Sequence, residues 1–129
     1  MMIYGIGIDV VEVGRIEAAI ERQGDAFIDR LFTAREREYC GKQKRPALHY
    51  AARFAAKEAV SKALGTGIGG QAGWLDMEVE RAESGAPKMV FRGRAADFIA
   101  SEGIAEVQVS LSHAKEYAAA NAVAVRHSA

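Results

Sequence analysis

Ala52, Ala55, Ala56, Ala59 and Ala63 recur at helical spacing within PALHYAARFAAKEAVSKAL, residues 46 to 64. At 3.6 residues per turn they fall on one face of a helix. Alanine carries nothing beyond Cβ to hold a neighbour away, so whatever covers that face comes close to the helix backbone. The chain is therefore expected to fold around this helix, packed tightly against a sheet. Pro46 suits the first helical turn, and Gly65 can take the left-handed conformation that closes a helix.

The other segments supply the layers. MIYGIGIDVV at the start reads as a strand, with Ile6, Ile8 and Val10 on one parity and Gly5, Gly7 and Asp9 on the other. It has a greasy face and a bare face that ends in an acid. From Gly14 the spacing turns helical through RIEAAIERQ, with Gly24 as its stop. A short amphipathic piece, AFIDRLF, precedes Thr33 and Glu36, which form a capping box at the head of a charged helix. Beyond the long helix, GTGIGG is a loop. WLDMEVERA alternates, predicting a strand with Leu75, Met77 and Val79 inward and Asp76, Glu78 and Glu80 outward. SGAP then reads as a turn, KMVFR as a pairing strand and GRAADFIASEG as a short helix. The last stretch predicts two strands joined near residues 113 to 116. This order gives one α+β domain over residues 1 to 129, with a long buried helix on a mostly antiparallel sheet.

Composition narrows the function. Seventeen Lys plus Arg balance seventeen Asp plus Glu, so no global field recruits nucleic acid or an anionic membrane, and any anion site must be local. No apolar run approaches the roughly 18 residues of a membrane span. The lone Cys40 cannot pair within the chain, and no charged-then-apolar leader opens it, so a cytoplasmic protein is expected.

The second stripe of the long helix carries Phe54, Glu58, Ser61, Lys62 and Gly65. Glu58 and Lys62 could be an ordinary i,i+4 ion pair worth about 0.2–0.5 kcal/mol. Asp9, likewise, could cap the helix that follows it. An aromatic ring and a glycine-rich loop on the same stripe argue against a plain solvated face. If Asp9 and Glu58 meet without a partner they repel, and one has its pKa raised. A hard divalent cation removes that conflict, and magnesium is commonly held by one or two carboxylates plus substrate phosphates and water. With Arg45, Arg53 and Lys62 as surrounding cations, the set suits phosphoryl transfer from a diphosphate. Other motifs fail. Val10 stands where a dinucleotide fingerprint needs its third glycine, GTGIGG lacks the following Lys and Ser or Thr, and His49, His113 and His127 show no zinc spacing with Cys40.

IGID at 6 to 9, FAAKEAVSK at 54 to 62, GTGIGG after it and LSHAKEYAAA near the end together resemble the 4′-phosphopantetheinyl transferases, in their short holo-acyl carrier protein synthase branch. The resemblance spans nearly the whole chain, in the right order. It implies transfer of the 4′-phosphopantetheine arm of coenzyme A to a serine of an apo acyl carrier protein, releasing adenosine 3′,5′-bisphosphate. By the same resemblance Asp9 and Glu58 hold Mg2+ on the pyrophosphate, Lys62 contacts the pyrophosphate, and Glu58, directly or through a metal-bound water, is the candidate base. Arg45, Arg53 and His113 match positions around the nucleotide and its 3′-phosphate, with Ser61, Gly65, Thr66 and Gly67 beside it. Arg15 and Arg22 match the basic residues that meet the acidic carrier, whereas Asp25 stands where some members carry a further base. Members of this branch are trimers with coenzyme A sites between subunits. The alternative is a noncatalytic coenzyme A or nucleotide-binding module that keeps the anion pocket.

Overall fold

The structure, a computed structural model, describes residues 1 to 127. Its elements run β1 (Met2–Glu12), α1 (Val13–Gln23), α2 (Asp25–Leu31), α3 (Ala34–Gly41), α4 (Pro46–Leu64), β2 (Met77–Arg81), β3 (Pro87–Phe91), α5 (Gly93–Ser101), β4 (Ile104–His113) and β5 (Tyr117–Arg126). β1, β5 and β4 form an antiparallel sheet in that order, and β2 pairs with β3 in a separate hairpin. Among the described residues no helix is long and apolar enough to cross a membrane.

The expected boundaries of α4 hold: Pro46 opens it, and Gly65 closes it at φ 78°. Thr33 and Glu36 form the capping box at the head of α3. The alanine face of α4 is buried against the sheet, whose central strand answers with buried Ala118, Ala120, Ala122 and Ala124. The bare face of β1 is the side that meets α4. A Cβ built on Gly7 would lie 1.9 Å from the Ala59 carbonyl oxygen, and one on Gly5 would lie 2.1 Å from that of Ala63. Only glycine lets strand and helix backbones touch in this way. The greasy parity of β1 therefore points outward, leaving Ile6 and Ile8 69% and 65% exposed.

WLDMEVERA departs from expectation. Trp74–Asp76 is a 3-10 turn, so the strand begins only at Met77 and Leu75 is 48% exposed. Glu78, expected outward, is 2% exposed, with one carboxylate oxygen accepting from Arg92 at 2.8 Å. Alternation reported which residues share a side of β2, but not that both sides are covered.

Lys57, beside Glu58 in sequence, is wholly buried. Its ammonium donates to Glu36 Oε1 at 2.7 Å, to the Leu31 carbonyl at 2.7 Å and to the Trp74 carbonyl at 3.0 Å. The other Glu36 oxygen accepts from the Val79 amide at 2.7 Å. A buried charge persists only when paired and hydrogen-bonded in this manner. The pair ties α3 and α4 to the start of β2 and so sets the rotation of α4 about its axis.

Candidate active site

β1 and α4, locked through their glycines and alanines, carry the acids that the sequence picked out. Two residues beyond Gly7, Asp9 lies on the glycine side of β1 and so faces α4. Lys62 reaches across from α4 and donates to Asp9 Oδ1 at 3.3 Å and to the Ile8 carbonyl at 2.9 Å. The ordinary helical pairing of Lys62 with Glu58, weighed from the sequence as the alternative, gives way to this contact with Asp9. Asp9 is no helix cap either, because Glu12 takes that position at the head of α1 without a side-chain bond.

Glu58 sits half-buried on the same side of α4. Burial raises its carboxyl pKa, the Asp9 carboxylate raises it further, and Lys62 opposes both. The Asp9 carboxylate thus acts on Glu58, as a nearby like charge must. Among the described residues no group of three or more His, Cys, Asp or Glu could hold a metal. The protein offers one carboxylate from each of two elements, a donor set that fits a hard cation completed by phosphate and water oxygens.

A cavity of about 500 Å³ opens beside Asp9. Arg15 and Arg22 of α1 line it with Ile16, Ala19, Phe27 and Phe54, giving charged groups over an apolar floor. Phe54 is held by stacking on Trp74, ring centroids 5.1 Å apart. At the far end of α4, the amides of Thr66 and Gly67 both donate to the Ser61 carbonyl, curling the glycine-rich loop against the last turn.

The remaining site residues lie on the other flank of α4. Lys62 and Arg53 are nine residues apart, about 180° around the helix. Arg53 is 5% exposed, its guanidinium carbon 4.3 Å over the Tyr39 ring, and it lines a cavity of about 190 Å³ with His113, His49 and Arg81. Arg45, one turn before His49, is instead engaged by Glu17 Oε1 at 3.3 Å and by the Lys115 carbonyl. His49 and Arg81 were not singled out from the sequence. Arg45, His49 and Arg53 repeat every four residues, which could have disclosed His49; Arg81 comes from a strand and has no such signal.

The model of the 4′-phosphopantetheinyl transferase superfamily matches residues 5–122. A holo-[acyl-carrier-protein] synthase from Koribacter versatilis is 46% identical over 122 residues, covering 95% of this chain and 98% of that protein. Among solved structures, the holo-[acyl-carrier-protein] synthase of Neisseria meningitidis superposes with a TM-score of 0.92 at 34% identity, covering 97% of this chain and 100% of that one. The Helicobacter pylori enzyme, solved in complex with coenzyme A, gives a TM-score of 0.83 at 31% identity, covering 93% and 99%. The chain belongs to the 4′-phosphopantetheinyl transferase superfamily, which makes it a group-transfer enzyme. Within that class its activity is that of a holo-[acyl-carrier-protein] synthase.

Proposed function

We propose that this enzyme moves the 4′-phosphopantetheine arm of coenzyme A onto a serine of an apo acyl carrier protein, with magnesium, and releases adenosine 3′,5′-bisphosphate. The observation that carries the reading is the placing of Asp9 and Glu58 on the facing sides of β1 and α4: Lys62 of α4 sits 3.3 Å from Asp9, and after burial the Asp9 carboxylate is the next cause that raises the Glu58 carboxyl pKa. Asp9 and Glu58 would hold the cation, which when bound neutralises charge on the diphosphate.

The chain's own groups then divide the work. Glu58 accepts the proton of the carrier serine, whose oxygen forms the new bond to the β-phosphorus. The bond from that phosphorus to the bridging oxygen breaks, and the departing oxygen leaves with the bisphosphate. Lys62 stabilises the charge that gathers there. Arg15 and Arg22 receive the acidic carrier over the groove that leads to Asp9. Gly65, Thr66 and Gly67 lie beside the nucleotide at the end of α4, whereas Ser61 is buried there, its hydroxyl donating to the Glu58 carbonyl at 2.8 Å, so it supports that turn rather than touching the ligand.

Arg45, Arg53 and His113 hold the nucleotide. Arg53 and Lys62 face opposite flanks of α4, and Asp9 and His113 sit on outer strands of the sheet with β5 between them. A ligand touching both groups within one chain would have to pass through the helix. The trimer with sites between subunits that the family resemblance implies would bring the nucleotide contacts from a neighbouring subunit, and the exposed apolar face of β1, where Ile6, Ile8 and Val10 stand out, offers it a seam. The lone, buried Cys40 is in keeping with a cytoplasmic setting.

The test is direct. Incubated with coenzyme A, magnesium and an apo carrier, the protein should add the arm's mass to the carrier in a mass spectrum. Asp9→Ala and Glu58→Ala should suppress that gain while leaving the circular dichroism unchanged. Transfer by either variant at the parent rate, with the same magnesium dependence, refutes the site.

A further inference from the structure

The cavity of about 190 Å³ between α4, β2 and β4 is lined by His49, His113, Arg53 and Arg81, and no carboxylate lines it. In a chain whose charges balance, four cationic or protonatable groups around one hollow define an anion site. Glu78 and Glu80, the acids of β2 on either side of Val79, are paired with Arg92 and Arg35.

His49 occupies the middle of this arrangement. Its ring meets that of His113 edge-on at 5.5 Å and that of Tyr39 at 5.8 Å. Arg53, one turn on, donates to the His49 backbone carbonyl at 3.4 Å. We propose that His49 is a phosphate ligand for the nucleotide half of the substrate, accepting a proton from solvent as the phosphomonoester enters between it, His113 and Arg53. This rests on the function proposed above and adds to it a residue that selects for the 3′-phosphate and makes binding proton-linked.

The linkage follows from what surrounds the ring. Burial lowers the pKa of His49 from its ordinary 6.5, and His113, Arg53 and Arg81 lower it further. Arg45, one turn back on α4, is held by Glu17, and Tyr39 of α3 presents its ring edge-on while its hydroxyl accepts from Arg81 at 2.6 Å. In the free protein His49 is accordingly neutral near pH 7. A phosphate dianion reverses the local field and favours the imidazolium. Binding should therefore tighten as pH falls through the bound-state pKa, and level off below the free-state pKa.

Titration calorimetry with coenzyme A and with dephospho-coenzyme A, in two buffers of different ionisation enthalpy near pH 7, tests this on the whole protein. The expected result is net proton uptake with coenzyme A and none with the dephospho form. His49→Gln should abolish the uptake and weaken coenzyme A about tenfold, the size of one lost charge-assisted hydrogen bond, while leaving dephospho-coenzyme A unchanged. Coenzyme A binding without proton uptake overturns the proposal but not the transferase reading. So does uptake that survives in His49→Gln and vanishes in His113→Gln. If neither ligand binds, the proposed function fails and this inference falls with it.

Discussion

Gly7→Ala is the sharpest test of how the site is held. The added methyl would sit 1.9 Å from the Ala59 carbonyl oxygen and 2.9 Å from the Ala63 amide nitrogen. Both are backbone atoms of α4, so no side chain can swing aside. To reach even the 3.4 Å at which ordinary contact begins, β1 and α4 must separate by about 1.5 Å. Overpacking typically costs about 1–3 kcal/mol, and with backbone on the far side we expect about 3 kcal/mol. That is a large part of the 5–15 kcal/mol that stabilises a typical domain, and roughly 10 °C in melting temperature. The same separation pulls Asp9 from Lys62, now 3.3 Å apart, so transfer should fall even in the fraction that stays folded. Gly14→Ala is the control. No atom lies within 4 Å of its added Cβ, and it sits in α1 without a positive φ, so it should be neutral or stabilise by up to about 1 kcal/mol. Urea unfolding at fixed protein concentration, with carrier labelling on the same samples, measures both effects. If Gly7→Ala unfolds within about 0.5 kcal/mol of the parent and labels carrier equally well, then backbone contact between β1 and α4 does not position the acids.

Three further outcomes follow from the same geometry. Lys57→Met leaves Glu36 buried without its cation and should destabilise by about 3–5 kcal/mol; adding Glu36→Gln should recover part of the loss, and strictly additive urea midpoints would show that the two do not interact. Glu58 has a raised pKa in the fold, so its ionised form opposes folding: stability is lost as pH climbs from 4.5 through the folded value. Glu58→Gln in metal-free buffer should thus melt higher than the parent at pH 8, with the gap closing below pH 4.5, and a parent of equal or higher melting temperature at pH 8 contradicts that sign. Ile6→Asp places a charge on the exposed apolar face of β1 and should lower the mass measured by light scattering while sparing the monomer fold, whereas an unchanged mass would move the subunit interface elsewhere.

Much of the architecture is written locally. Pro46, the alanine repeat and Gly65 mark the limits and buried face of α4 because helix termini and small-residue faces are properties of neighbouring residues. Thr33 and Glu36 announce the start of α3 for the same reason. Asp9 and Glu58 stood out as acids in unusual company, on a glycine face and beside an aromatic ring. What only tertiary structure decided is where each face points and which partner each charge takes. β1 turns its isoleucines outward because its glycines alone can meet the α4 backbone. Glu78 is buried because Arg92, brought up by the β2–β3 pairing, covers it. Lys62 bonds Asp9 rather than Glu58, four residues away on its own helix. His49 joins Arg81 and His113 only after β2 and β4 have packed on the flank of α4. Periodicity encodes which residues share a side; which surface that side will meet depends on contacts with other segments of the chain, which no local pattern records.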